Sequence, residues 1–560
     1  MPQAHLHHNQ VTQGRMLAAG ALDLIEGHKG DDIAHALNEE FGSTPLFERV
    51  LDGLGDGDRT GLLETVAAGA QVYRMAHGFM PDADMLAAAV QQGAACRQNY
   101  TMDGGREMVL DSTEGSMDTA SIQANRAMSA VMDLFESAAP FTATLPTDVN
   151  SNEARLIVLE HVARSNLGGY KIDDLLNGSA IGRPFADSER ELLFPTAITA
   201  PVTLKFTSRN NEQGTPTDPF GLYCNQALPG VPVVRGQTIV LVNGIPVAEE
   251  RRNPQGANSP LVGSIKLGNS EYTITGNVAP DTGDVTISSV SPALPAGTQI
   301  KAIGNINYER AAALTPEVGF NVRAFSMFAN TSRINVTTGI DAAQQIIREL
   351  GIDAQAQQLR AARAQASMER YHRALRRAYD LSINTVLEHD FRMVERDTDL
   401  VRAQIWLDFA PVLTLADHLV SEKTMDHGVG FCYVGRRVAS ELRGLPPEIF
   451  RPSGLTSRPG IWRVGRLLDM VDVYHLPDSA GLLAANEVAG EYEMLLIGRG
   501  TDPSRSPVVT GDAVPPMLVD QARGKDMASN AGVYARGFVR SNPHLPSAQG
   551  CARIRLKGLK

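Results

Sequence analysis

Several places in this sequence carry side chains at spacings that could do chemistry. Asp56-Gly57-Asp58-Arg59-Thr60-Gly61 sets oxygen donors at alternate positions before a glycine, the opening of a calcium loop. The twelfth position of that loop is Ala67, where a bidentate carboxylate is needed, so an acidic turn capping the next helix is expected instead. His5, His7 and His8 are metal-binding side chains, but nothing beside them would orient their rings, and a solvated tail is expected. Asp426 with His427, and Asp472 with His475, are local acid–imidazole pairs, both expected at loop or strand ends as satisfied polar groups. No GxSxG, HExxH or Walker pattern occurs, and the glycines of GLGDGD follow no predicted strand, which makes a poor phosphate loop. These residues assemble no nucleophile, base and oxyanion site, which points away from an enzyme and from any cofactor.

The largest charged array is Arg360, Arg363, Arg370, Arg373, Arg376 and Arg377. All six fall in residues 353–388, which lack proline and glycine and read as one helix about 50 Å long at ~1.5 Å per residue. Leu375, Tyr379, Ile383 and Val386 form its apolar stripe. The arginines suit a subunit-contact surface, with a solvated face balanced by Glu369, Asp380 and Glu388, or a DNA contact, as the other readings.

The elements around that helix fall into blocks. Residues 1–136 read as short helices between glycine-rich turns, TGLLETVAAGAQVYRMAHGF among them. From Phe141 to about Ala200 the chain alternates extended and short helical pieces, with capping-box spacing from Ser188 to Glu191 and a stop at Pro195. Residues 201–310 are β-rich, with turns at Asn243-Gly244 and Asp281-Thr282-Gly283, and read as a small antiparallel module. VGFNVRAFSMFANTSRINVT gives one or two more strands, and Gly351 interrupts the helix that leads into the long one. After it, GVGFCYVG is a buried-strand candidate feeding the helix RRVASELRGL, and IWRVGRLLDMVDVYHLP and EYEMLLIGRG are strands.

The chain's 560 residues imply two to four folding units. Hydrophobic residues at 43% and charged residues at 20% are those of a globular chain. No apolar run is long enough for a membrane helix, and the first residues lack a signal-peptide pattern. Cys96, Cys224, Cys432 and Cys551 are far apart, which argues against a disulfide scaffold or thiolate zinc site; a soluble protein made in a reducing compartment is expected. Residues 1–150 hold 21 Asp and Glu against 8 Lys and Arg, a net of −13, so the whole formal charge of −12 is N-terminal. An acidic segment on a balanced body disfavours general nucleic-acid binding.

Three stretches, in order, carry a family resemblance. EVGFNVRAFSMFANTSRINVTTGIDAAQQIIRELGIDAQAQ resembles a strand and helix entering a spine helix; GVGFCYVGRRVASEL with PGIWRVGRLLDMVDVYHLP resembles an axial-domain helix and strand. EYEMLLIGRGTDPSRSPVVTGDAVPP with GVYARGFV resembles the return to a peripheral domain. Together these resemble the major capsid proteins of tailed bacteriophages, the Johnson fold, in its larger T-even-like branch. The resemblance implies an α+β chain with an acidic helical leader at 1–136, an N-arm at 137–200 and an extended-loop region at 201–317 carrying the inserted β module. A peripheral domain at 318–403, an axial domain at 404–523 and a return at 524–560 complete it. It also implies a non-enzymatic subunit that forms hexamers and pentamers around packaged double-stranded DNA, without sequence-specific contact and without a membrane. Portal, scaffold and decoration or minor capsid proteins are the implied partners, the virion is the implied location, and the host cytoplasm is the site of synthesis. Relatives of this branch often lose their leader to a protease cutting after Leu-x-Glu, which here points to Glu136 before Ser137, with Leu24-Ile25-Glu26 as a second match. An encapsulin-like shell shares this fold. A surface-binding role for the β module is the other alternative, although residues 228–310 offer only Tyr272 and Tyr308 as aromatics.

Overall fold

A computed structural model of the chain describes residues 21, 25, 56–101, 131–132, 134–135, 138–147, 152–176, 184–195, 198, 200–212, 214–216, 218–251, 256–267, 270–295, 297–351, 354–393, 401–483, 491–500, 502–521 and 529–559. The chain divides into two compact units, residues 1–158 with 324–560, and residues 159–323. No helix among the described residues is long and apolar enough to cross a membrane.

The first unit begins with helices α1 (Asp56–His77) and α2 (Ala83–Thr101). In α1, Leu62, Leu63, Val66, Ala70 and Tyr73 recur at three- and four-residue spacing and are buried against Leu86, Ala89 and Val90 of α2. The sequence reading found α1 and passed over α2, whose alanine-rich face gives little contrast between its sides. The DGDRTG run lies inside the first turn of α1, so its backbone is helical and is not a calcium loop. Strand β1 (Ala143–Thr144) follows, and in β2 (Glu153–Ala163) the chain passes into the second unit.

That unit is an eight-stranded antiparallel sheet. Its strands are β3 (Glu189–Phe194), β4 (Val202–Lys205), β5 (Ile239–Val242), β6 (Ile245–Glu250), β7 (Ser259–Leu267), β8 (Ser270–Ala279), β9 (Asp284–Ser291) and β10 (Ile300–Asn305), in the order β3-β10-β5-β6-β7-β8-β9-β4. Its core is the inward half of each alternation, Val240 and Val242, Ile274 and Val278, Val285 and Ile287, Ile300 and Ala302. Gly276 sits at a bulge where an added Cβ would lie 2.3 Å from the Thr286 carbonyl, so only glycine allows that close approach. The helix expected to begin near Ser188 is instead β3. Arg190, Leu192 and Phe194 are buried at every second position, and pairing with β10 overrides the capping-box signal.

The chain returns through β11 (Val318–Phe328), which with β2 makes a two-stranded ribbon, and turns into β12 (Asn330–Thr338). Helix α3 (Ile340–Leu350) ends at Gly351 with φ +64°, a left-handed cap that glycine adopts without strain. Helix α4 (Ala354–Leu381) is about 42 Å long at ~1.5 Å per residue. It stops seven residues before Glu388 (388 − 381), the expected end. The Ser382 hydroxyl and the Asn384 amide donate to the Tyr379 and Leu381 carbonyls, and Lys423 donates to the Asn384 carbonyl at 2.8 Å. Those bonds close the helix end, and β-branched Thr385 and Val386 lead into strand β13 (Val386–Asp390), parallel to the last strand of the chain. Ile383, expected on the apolar stripe, is 70% exposed as a result.

Next come helices α5 (Arg402–Leu407) and α6 (Ala410–Thr424), strand β14 (Val429–Val434), helix α7 (Arg436–Arg443), and strands β15 (Phe450–Pro452), β16 (Trp462–Leu467), β17 (Val471–His475) and β18 (Tyr492–Gly498). Strands β19 (Val508–Gln521), β20 (Ser529–Ser541) and β21 (Cys551–Lys557) complete the unit. They form a seven-stranded mixed sheet, β13-β21-β18-β14-β17-β16-β15, and a four-stranded one, β1-β19-β20-β12. The seven-stranded sheet is buried on both faces. Cys432, Val434, Met494 and Leu496 point toward Trp406 of α5, Phe409 just before α6, Leu413 of α6 and Val438 of α7. Alternating with them, Tyr433, Leu495 and Ile497 point toward Phe141 and toward Tyr371 and Leu375 of α4. The molecule is an α+β protein, as the sequence implied.

Candidate functional site

The arginine row does not form one surface. In α4 the residues Tyr371, Ala374, Leu375 and Ala378 are buried, which turns Arg360, Arg373, Arg376 and Arg377 to solvent and leaves Arg363 and Arg370 half-buried. Arg370 reaches inward and donates to the buried Asp512 carboxylate of β19 at 2.5 Å. Arg377 lies 3.7 Å from Asp380, one turn on. Arg373 and Arg377 line an open groove of about 630 Å³ with Arg540, Asn330, Thr331, Val539 and Ser541. Arg540 comes from β20, far along the chain, and sequence reasoning did not find it.

Arg499, just beyond β18, gathers four polar contacts, and no motif marked it. Its guanidinium donates to the Asp84 carboxylate at 2.7 Å and to the Pro140 and Thr142 carbonyls at 2.9 and 2.7 Å, and it lies 2.8 Å from the Asp82 carboxylate. The second Asp84 oxygen accepts from the Thr144 backbone N–H at 2.8 Å, which fixes the carboxylate in place. Only 11% of the Arg499 side chain is exposed. Burial alone lowers its pKa, but Asp84 and Asp82 outweigh that and raise it above its ordinary value. The start of α2, the entry to β1 and the end of β18 therefore meet at one charge.

Next to this clamp, His77 at the end of α1 meets the Tyr474 hydroxyl through Nδ1 at 3.1 Å and packs on Tyr73 with ring centroids 4.3 Å apart. Burial pushes the His77 imidazole down to a pKa of about 4, with Arg463 and Arg458 adding to the shift. Tyr433 stacks on Tyr474 at 5.3 Å and bonds the Tyr371 hydroxyl at 2.9 Å, and burial raises all three phenols. Gly78 has φ +82°, and an added Cβ would fall 2.1 Å from the Arg463 guanidinium. Gly78→Ala is expected to cost about 1–2 kcal/mol through the left-handed backbone alone, with the Arg463–Asp472 pair displaced as well. A thermal melt with limited proteolysis of the N-terminal helices measures it; a cleavage pattern and melting temperature equal to wild type would contradict this packing.

The acid–imidazole pairs are structural. His427 Nδ1 lies 3.1 Å from the Gly428 carbonyl and Nε2 lies 3.4 Å from the Arg505 carbonyl. Asp472 accepts two bonds from Arg463, and His475 faces the Gly460 carbonyl at 3.5 Å, so neither pair forms a dyad. Among the described residues no three His, Cys, Asp or Glu side chains converge on a metal position. A small cleft lined by Leu134, Thr144, Arg370 and Thr510 measures about 10 Å³, room for a single water at most. Glu136 and Ser137, like Glu26 and His5, His7 and His8, lie outside the described residues. Leu134 and Phe135, the flanking positions of the first cleavage match, are buried in the N-terminal helical core.

No family model matches the sequence, and no curated protein does. Among solved structures, the chain is similar to the capsid of jumbo bacteriophage PhiKZ, at 9% identity and a TM-score of 0.37, covering 74% of this chain and 91% of that one. The capsid of Helicobacter pylori bacteriophage KHP30 follows at 12% identity and a TM-score of 0.28, covering 45% and 78%. The encapsulin complex of Synechococcus elongatus follows at 10% and 0.27, covering 43% and 79%.

Proposed function

We propose that this chain is the major shell protein of a tailed-phage head, repeating as hexamers and pentamers that enclose double-stranded DNA. The observation that carries this reading is the ribbon made by β2 and β11. Val318, Phe320 and Val322 alternate along β11 and are 59, 60 and 46% exposed, so one strand face carries three largely exposed apolar side chains, with the Phe320 ring 5.0 Å from that of His161. A contiguous apolar face of this kind marks a protein contact. A neighbouring copy that covers it supplies what the single chain lacks. The sequence resemblance supports the same reading. Portal, scaffold and decoration proteins are the partners it brings, the virion is its location, and its acidic N-terminal part keeps packaged DNA from adhering to the wall.

Negative-stain microscopy with size-exclusion chromatography on the full-length chain tests the proposal. Closed shells, tubes or capsomer rings are expected, and Phe320→Asp is expected to abolish them at an unchanged melting temperature. A wild-type chain that stays monomeric at every concentration, alone and co-expressed with a scaffold, overturns it.

A further inference from the structure

The groove beside α4 combines a cluster of guanidinium groups with a strand edge. It carries Arg373, Arg377 and Arg540 together with the polar side chains of Asn330, Thr331 and Ser541. Within α4 the first two are four residues apart and so share one side of the helix, while Arg540 stands opposite Val509 on β20. Asp380 lies 3.7 Å from Arg377, and Arg370 on the same helix is paired with Asp512. The groove also opens on β12, the terminal strand of its sheet among the described residues, whose nine residues pair with β20 on one side. Asn330, Thr331, Ser332 and Arg333 at its start are exposed, so the strand presents an open edge beside the guanidinium groups. A long free edge is a template for an added extended segment, and arginine forks favour carboxylates.

The sequence holds a matching partner. Residues 102–118 contain Asp103, Glu107, Asp111, Glu114 and Asp118 against the single Arg106, while the body of the chain is near neutral. We propose that residues 102–118 of a second copy lie along the free edge of β12 and set their carboxylates among Arg373, Arg377 and Arg540. This rests on the shell reading and deepens it, by assigning the acidic N-terminal segment a place on the neighbouring subunit. Phosphate groups would meet the same guanidinium atoms, but the uneven charge within this chain favours its own carboxylates.

Charge exchange between two full-length variants tests it. The first is Arg373→Glu/Arg377→Glu/Arg540→Glu, and the second is Asp103→Lys/Glu107→Lys/Asp111→Lys/Glu114→Lys/Asp118→Lys. Circular-dichroism melts first establish that each folds like wild type, and sedimentation velocity then reads association. Each variant alone is expected to associate at least tenfold more weakly than wild type, and their mixture is expected to recover, because each groove then meets a segment of opposite sign. Should the groove variant not fold, single Arg373→Gln and Arg540→Gln chains carry the test, with a smaller loss expected from each. A folded groove variant that associates like wild type overturns the proposal and leaves the shell reading standing. So does a mixture that fails to recover. A groove variant that assembles normally but loses binding to a short DNA duplex overturns it in favour of phosphate, and a wild-type chain that never associates removes both readings.

Discussion

Arg499→Ala is expected to cost the folded chain about 3–5 kcal/mol, the largest single-residue loss this structure implies. The substitution leaves Asp84 beside buried backbone with no cation and strips the Pro140 and Thr142 carbonyls of their donor. Those partners belong to α2 and to the turn before β1, while Arg499 itself follows β18, so the loss falls on the attachment of the N-terminal helices as well as on global stability. Urea unfolding measures the total, and hydrogen exchange over α1 and α2 locates it. Asp84→Asn keeps the shape and removes the charge, and is expected to lose less, because the Thr144 N–H still finds an oxygen. Loss in Arg499→Ala below about 1 kcal/mol would show the clamp to be solvated. The same contacts bear on the cleavage expected after Glu136. Even a chain cut there is expected to keep its N-terminal helices bound, so intact mass and gel analysis of the purified protein should find that segment present, whole or as a retained fragment.

The second large expected effect is a loss of stability in mild acid. His77 has a folded pKa of about 4 against an ordinary value of 6.5, so the unfolded chain binds the extra proton first as pH falls. Stability from the neutral ring is therefore complete above about pH 6.5 and declines toward pH 4, by about 3 kcal/mol at the lower end. Protonation there places a third cation beside Arg463 and Arg458, while Tyr73 and Tyr474, their phenols raised by burial, offer no compensating negative charge. Carboxylates elsewhere titrate in the same range, so the informative quantity is the difference between wild type and His77→Asn, whose amide keeps a polar group near the Tyr474 hydroxyl. Urea midpoints between pH 7 and 4 are expected to converge as the pH drops. Parallel curves would show that His77 is not the group that titrates.

What the sequence made legible is what short-range pattern records. The strand at Val429–Val434, the helix after it with its end at Gly444, and the strands through Val471–His475 and Tyr492–Gly498 all appear where periodicity put them. Three departures have physical causes. Helix α2 is rich in alanine, β3 follows its partner strand rather than its cap signal, and α4 ends early because Lys423 and Ser382 satisfy its terminus. The candidate site was half legible. Arg373 and Arg377 were visible as helix-spaced charges, yet Arg540 joins them only through the sheet. Arg499 meets Asp84 across 415 positions of sequence, a distance that no local motif spans.

The second unit has a geometry that matters beyond one molecule. Near its two ends, Glu160 and Arg323 form an ion pair at 3.3 Å, and the Arg164 N–H donates to the Glu317 carbonyl at 2.9 Å. A segment whose own termini touch can be exchanged by recombination as a cassette, because the host fold need not thread through anything to receive a substitute. The eight-stranded sheet is therefore a segment that can be exchanged while the rest of the fold is kept intact. For an engineer, residues 159 and 323 are the seams at which a foreign domain with adjacent ends would be spliced.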